Sequence, residues 1–239
     1  MHAVSDPRRL CGVALTCLLL ATPCAFAADA SGTAALTTDY VWRGTSQSNE
    51  DPAVQAGFKV AADNGFYAQA WGSSVEFAPD TRASTELDLV AGWSGALSDA
   101  LALDVNLTRY LYPSTTVDLD WTEAIATLTW RAHYWVQAGH SNDALATGTS
   151  GTYAQLGARL PVTDAFRFEA AAGHYRLAGN SGYDDYAHLQ VGAVWTFASR
   201  ADGRTAELRV TAHETDSAAE RGFGALAGSR IEAALQASF

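Results

Sequence analysis

Charged and amide side chains recur at two- and four-residue spacing along much of this chain. Asp39 and Arg43, Gln55 and Lys59, Glu86 and Asp88, Asp104 and Asn106, Gln155 and Arg159, Arg167 and Glu169, Glu207 and Arg209, and Glu232 and Gln236 form such sets, with Glu123 standing alone. On an extended strand that spacing sends all members of a set to one face. Side chains of both signs on one face can do two things. Around a water-filled passage they sort ions by charge; across a narrower space they pair and fill it. Arg43 stands apart, because the run Arg43-Gly44-Thr45-Ser46-Gln47-Ser48 ends one alternating stretch and opens a polar one. It is read either as a turn in which Gly44 supplies a permissive backbone, or as a segment folded inward to set a constriction with Arg43 as its cation.

Other chemistry finds little support. His133, His140, His174, His188 and His213 fall on separate segments, with no H-x-x-x-H or H-E-x-x-H spacing for a metal. No G-x-S-x-G elbow occurs, and Gly222 to Ala227 matches a dinucleotide-loop pattern without the surrounding βαβ unit, so it reads as a mobile Gly/Ala loop. The acid pairs Asp118/Asp120 and Asp184/Asp185 sit at segment borders, where solvated loop charges are the plain reading and a divalent cation the sharper one. A Ser–His lipid hydrolase needs no linear motif and stays as a minor alternative. No enzyme activity, cofactor or metal is expected.

The elements that position these residues follow from a period of two. Leu36, Thr38, Tyr40 and Trp42 alternate with Thr37, Asp39, Val41 and Arg43; Val54, Ala56, Phe58 and Val60 alternate with Gln55, Gly57 and Lys59. Leu101 to Leu107, Phe166 to Ala170, Ala206 to Ala212 and Ile231 to Phe239 repeat the pattern, and helical spacing is sustained nowhere. The pattern predicts about twelve strands, at 33–43, 53–62, 66–75, 85–94, 101–112, 120–130, 132–140, 152–160, 165–175, 184–197, 204–214 and 230–239. Segments near ten residues suit a tilted bilayer crossing. Short connections such as Asp63-Asn64-Gly65 alternate with longer polar ones at 44–52, 76–84, 113–119, 141–151, 176–183 and 215–229. This is the wiring of an all-β antiparallel transmembrane β-barrel of the outer membrane. The turn at Arg131 carries a weak signal, which leaves counts of ten or fourteen open.

In such a barrel the apolar face meets lipid and the polar face lines the interior, so Asp39, Arg43, Gln55, Lys59, Glu86, Asp88, Asp104, Glu123, Arg159, Arg167, Glu169, Glu207, Arg209 and Glu232 are the expected lumen and constriction residues. Trp42, Trp71, Trp93, Tyr110, Tyr112, Trp121, Trp130, Tyr153, Phe166, Trp195, Phe197 and Phe239 lie near segment ends and are expected to form two interfacial girdles. A secreted β-sandwich would place large aromatics at mid-strand instead.

Residues 1–27 read as an export signal: Arg8 and Arg9, an apolar run from Leu10 to Ala21, and Ala25-Phe26-Ala27, with cleavage after Ala27. Cys11, Cys17 and Cys24 all fall inside it, so residues 28–239 hold no thiol. The whole chain carries 15 basic and 26 acidic residues for a net −11, and removal of Asp6, Arg8 and Arg9 takes this to −12. That acid excess argues against nucleic acid and suggests a weak preference for cations. Lys59 is the sole lysine, which fits a chain with little exposed helix.

Several blocks go further. Leu36-Thr-Thr-Asp-Tyr-Val-Trp-Arg-Gly-Thr-Ser-Gln-Ser48 and Gly65-Phe-Tyr-Ala-Gln-Ala-Trp-Gly-Ser-Ser-Val-Glu-Phe77 resemble the opening blocks of the TorF-like porin family, bacterial outer-membrane proteins first catalogued as of unknown function. Glu86-Leu-Asp-Leu89, Tyr110-Leu-Tyr-Pro113 and Trp121-Thr-Glu123 follow in the family's order, and the likeness thins after about residue 140. Trp42 and Thr45 depart from the family pattern, which has Phe and a bulkier aliphatic there. The terminal Phe239 resembles the aromatic assembly signal of outer-membrane proteins. These resemblances imply an outer-membrane barrel with pore activity for ions or small polar solutes. The expected partners are lipid, lipopolysaccharide and the barrel assembly machinery. A non-conducting structural or adhesive barrel is the alternative.

Overall fold

The computed structural model describes residues 28–78, 80–113, 115–179 and 181–239. The expected export signal, its cleavage point at Ala27 and the three cysteines lie outside the described residues.

β1 (Ala28–Thr37) is followed by two short strands, β2 (Val41–Trp42) and β3 (Thr45–Ser46). Then come β4 (Ala53–Ala62), β5 (Phe66–Ser74), β6 (Thr85–Ala96), β7 (Leu101–Leu111), β8 (Trp121–Trp130) and β9 (Tyr134–Ser141). β10 (Gly151–Thr163), β11 (Phe166–Leu177), β12 (Tyr186–Ser199), β13 (Thr205–Thr215) and β14 (Arg230–Ser238) follow, with helix α1 (Ser217–Phe223) before β14. All but β2 and β3 join one antiparallel sheet, which closes where β1 meets β14 to give a twelve-stranded barrel. Closure pairs the two edge strands of the sheet with each other, as is required wherever water cannot satisfy backbone groups.

The alternation becomes an inside and an outside. Leu36, Val54, Phe58, Leu107, Val136, Leu156, Val191, Val210 and Leu235 are exposed on the outer face. Such an apolar belt is stable against hydrocarbon and costly against water, by roughly 25 cal/mol per Å². The polar set turns inward. The turn at Arg131 that carried so weak a signal is tight: Arg131 and Ala132 both take positive φ (51° and 58°) without a glycine. A hairpin of this kind normally advertises itself by Asn-Gly or Asp-Gly.

At the seam β1 pairs with β4 along its whole length but with β14 only from Thr33 to Thr37. Phe239 extends this ladder: the Gly32 N–H donates to its carbonyl at 2.6 Å, and its own N–H donates back at 2.9 Å. The Phe239 ring lies over Gly32, where a Cβ would come within 2.6 Å of it.

Three expectations need correction. The first strand, expected over 33–43, leaves the wall after Thr37, because Asp39 turns inward to accept the hydroxyls of Ser46 and Ser48. The aromatics do not form two outer girdles. Phe66, Trp130, Tyr134, Phe168, Trp195, Phe197 and Phe239 are exposed, all at the short-turn end. Trp42, Trp71, Tyr110, Tyr112, Trp121 and Tyr153, at the long-loop end, sit inside the barrel or its mouth instead. Finally, the 215–229 connection contains α1, whose N-cap Asp216 accepts from the N–H groups of Ala218 and Ala219, with Glu220 in the first turn complementing the helix dipole.

Candidate functional site

The residues that leave the wall after Thr37 form a hairpin inside the barrel. Val41 pairs with Ser46 and Trp42 with Thr45 across a turn at Arg43 (φ 48°) and Gly44 (φ 84°). Positive φ at both turn positions matches the twist of a two-residue hairpin, and at the second only glycine fits. A Cβ on Gly44 would lie 2.7 Å from His188 on β12 and from Thr215 on β13. The hairpin base is held by hydroxyls: Ser46 and Ser48 donate to Asp39 at 2.6 and 3.1 Å, and Ser48 Oγ accepts the Tyr40 N–H at 2.9 Å. Arg230 of β14 approaches Asp39 at 3.5 Å. It can do so because the upper end of β14 is not paired with β1.

The tip crosses the lumen. Arg43 donates to Glu123 on β8 at 2.7 Å, and the two side chains are only 6% and 1% exposed. Its guanidinium also lies 3.8 Å from the ring centroid of Tyr153, 4.2 Å from that of Trp42 and 4.9 Å from that of Tyr175. Burial works to lower the pKa of Arg43, but Glu123 beside it raises it on balance, so the cation is retained. The pair is not bidentate, since Arg43 Nη1 and Glu123 Oε1 have no partner. Trp42 meets Trp121, Tyr175 and Tyr110 edge-on at 6.0, 6.1 and 6.2 Å, and Tyr110 stacks on Trp121 at 4.2 Å. On the other side Tyr40 and Tyr112 each donate a hydroxyl to Glu86 at 2.8 Å. The Tyr40 phenol is pushed well above its ordinary pKa by burial and by Glu86. A single short hairpin therefore touches β5, β6, β7, β8, β10, β11, β12, β13 and β14.

Below it, toward the short turns, the lumen is organised differently. Arg167 on β11 holds Glu207 on β13 through two bonds of 2.7 and 2.9 Å and Glu169 at 2.8 Å. Arg209 reaches Glu169 at 2.6 Å and Glu207 at 3.3 Å, and Arg159 on β10 reaches Glu169 at 3.0 Å. Register explains the lattice: Arg167, Val194 and Arg209 share one level, while Glu169 pairs beside Gly192 and Glu207 beside Thr196, so the acids sit above and below the arginines. On the opposite wall Lys59 lies 3.8 Å from the Tyr67 ring, whose hydroxyl donates to Asp104 at 3.0 Å; Asn106 donates to the same carboxylate.

The sequence-derived residues thus divide into groups. Arg43 and Glu123 are joined, as are Arg159, Arg167, Glu169, Glu207 and Arg209. Lys59 and Asp104 share Tyr67. Gln55, Asp88 and Glu232 line a cavity of about 360 Å³ beneath the hairpin, beside Tyr40, Val41, Gln69 and Trp71. Glu232 also accepts from Thr37 at 3.1 Å and contacts His213 at 2.9 Å. Asp39 lies at the hairpin base rather than on a barrel strand. Residues missed by the sequence reading are Tyr40, Tyr175, His188, Thr215 and Arg230, and the inward role of Tyr153 and Trp121. Parity carried the signal for several: Tyr153 shares a face with Gln155, Tyr175 with Glu169, and Trp121 with Glu123.

This is a closed antiparallel barrel whose interior carries an inserted hairpin, a cage of aromatic rings around one arginine and a lattice of paired charges. Residues 21–239 match the model of a family described as bacterial protein of unknown function (Gcw_chp), and the chain belongs to that family. No curated protein matches it. Among solved structures it is similar to the KdgM porin in complex with disordered oligogalacturonate, with a TM-score of 0.56 at 4% identity over 88% of this chain and 98% of that one. It is likewise similar to the NanC porin (0.54, 9% identity, 88% and 99%) and to an outer-membrane channel from Pseudomonas putida F1 (0.50, 12% identity, 87% and 94%). At such identities the likeness is one of fold.

Proposed function

We propose that this protein is an outer-membrane channel of the TorF-like kind, passing ions or small polar solutes passively and with a weak preference for cations. The observation that carries the reading is the hairpin laid across the lumen and fastened by Arg43 to Glu123, since charged side chains at a narrow point are what lets a pore select what passes. The cavity beneath the hairpin continues the passage along the β4–β6 and β14 walls. Cation preference is supported by pairing. Arg43, Arg159, Arg167, Arg209 and Arg230 all face carboxylates, whereas Glu86, Asp88 and Asp104 have no arginine or lysine partner among the described residues. Lys59, over its tyrosine, is the counterweight.

Location in the outer membrane is supported by the apolar belt, and the export signal and route of assembly go with it as proposals. Phe239, which closes the seam over Gly32, is proposed as the aromatic assembly signal. Lipopolysaccharide is a fitting neighbour for His140, Thr152 and Arg176, which face outward in one register row above the belt. The proposed activity makes and breaks no covalent bond. The test is a planar bilayer in a salt gradient: wild type is expected to conduct with a cation-directed reversal potential, and Arg43→Ala to conduct more. An anion-directed potential sinks the cation preference. Absent conductance in wild type, restored by removing the hairpin, favours the second reading of a sealed structural barrel, for which the filled aromatic cage speaks.

A further inference from the structure

Above the hairpin, at the long-loop end, lies a cavity of about 320 Å³. Its walls carry the rings of Trp42, Phe77, Tyr112, Trp121, Tyr183 and Phe223, drawn from the hairpin, from β8 and from outer connections. Phe77 lies 5.3 Å from Tyr112, and Tyr183 stacks on Phe223 at 4.7 Å, so the rings brace one another as well as the space. Among the described residues no charged side chain lines it.

The hairpin's hydroxyls and those of Thr81 and Tyr112 are already donated. Thr45 Oγ1 donates to the Trp42 carbonyl at 2.9 Å, Ser46 Oγ to Asp39 at 2.6 Å, and Thr81 Oγ1 to the Ala78 carbonyl at 2.8 Å. Tyr112 donates to Glu86, and Gln47 Nε2 to the Thr45 carbonyl at 3.1 Å. A sugar entering here would bring many hydroxyls to a wall made chiefly of ring faces, where the Trp42 and Trp121 indole N–H groups, the Tyr183 hydroxyl and the Gln47 carbonyl are too few to match them, and unmade hydrogen bonds in a confined site are costly. An anion or cation would lose its hydration to a lining without countercharge. A flat apolar ring meets faces it can stack on, in a volume at the small end of ligand pockets.

We infer that this outer vestibule is a binding site for an uncharged aromatic molecule of one or two rings bearing few polar groups. The floor of the site is the hairpin itself, through Trp42, Thr45 and Ser46, so the occupant rests on the element that crosses the lumen. The inference goes beyond the channel reading and does not depend on it, because a vestibule binds whether or not the barrel conducts.

The experiment is titration calorimetry on the full barrel folded in detergent, with indole as the probe and benzoate and methyl glucoside as charged and hydroxyl-rich comparisons. Ala78→Trp, which fills the cavity, sets the background from partition into detergent. Heat-modifiable gel migration confirms that each variant folds. Indole is expected to bind wild type at one site. Phe77→Ala and Phe223→Ala, each removing one ring, should weaken it roughly five- to tenfold, and Ala78→Trp should abolish it. Indole heats in wild type equal to those of Ala78→Trp overturn the site. Methyl glucoside binding in place of indole overturns the aromatic assignment, and benzoate binding as tightly as indole overturns the requirement for a neutral ligand.

Discussion

The two halves of the lumen use the same ion pair, arginine with glutamate, to different ends. At the long-loop end one pair, Arg43 with Glu123, is buried among rings and joins a loop to the wall. At the short-turn end three arginines share two glutamates, and both partners of every contact belong to the wall. A lone buried pair cannot lose a member without stranding the other charge, so it acts as a fastening. A lattice with shared acids loses one arginine and keeps its remaining bonds, so it braces the wall more than it fixes any one element. The first arrangement is local and all-or-none, the second distributed and graded.

The comparison can be broken most severely by removing the fastened element. Replacing Val41–Ser46 with Gly-Gly is expected to raise single-channel conductance several-fold, and an unchanged conductance would show that the hairpin does not limit the passage. Next comes the fastening alone. Arg43→Ala or Glu123→Ala should cost hairpin docking about 3–5 kcal/mol, read as faster amide exchange over Tyr40–Ser48. The double substitution Arg43→Met with Glu123→Leu should recover most of it, because an apolar pair suits the ring-lined site. Equal exchange in the single and double variants would deny the coupling.

Smaller, and confined to geometry, is Gly44→Ala. The contacts with His188 and Thr215 and the positive φ make it cost roughly 1–3 kcal/mol of the same docking, with barrel melting in detergent little changed. The least effect on structure belongs to the lattice. Arg209→Ala leaves Glu169 and Glu207 bound to Arg167, so amide exchange at the hairpin should match wild type, and stability should fall by about 1 kcal/mol or less. The reversal potential should move further toward cations. A loosened hairpin in Arg209→Ala would mean that the two halves are coupled and the contrast between them false.

Much of this was legible in the chain. Twelve alternating segments became the twelve barrel strands, most within two or three residues, because period two against lipid is the requirement for a wall. Inward placement of Glu123, Arg167 and Glu207 followed from the same parity. Two things were not legible. The alternation of 38–43 looks like strand, yet Asp39 gains more from two serine hydroxyls inside the barrel than the segment gains from more ladder. The aromatics near the long loops have the composition of a girdle, and parity rather than type sends Tyr110, Trp121 and Tyr153 inward.

The sequence by itself determined the architecture: a closed antiparallel wall, apolar outside and charged within, since side-chain alternation is a local property that each strand carries alone. It also marked the Arg43–Ser48 run as either a turn or an inward constriction. Only the tertiary structure decided that the run is a hairpin turn lying inside the barrel, and which charges meet. Arg43 and Glu123 lie 80 residues apart, and Arg167 and Glu207 40 apart. Their meeting depends on barrel closure and strand stagger, which no local pattern encodes.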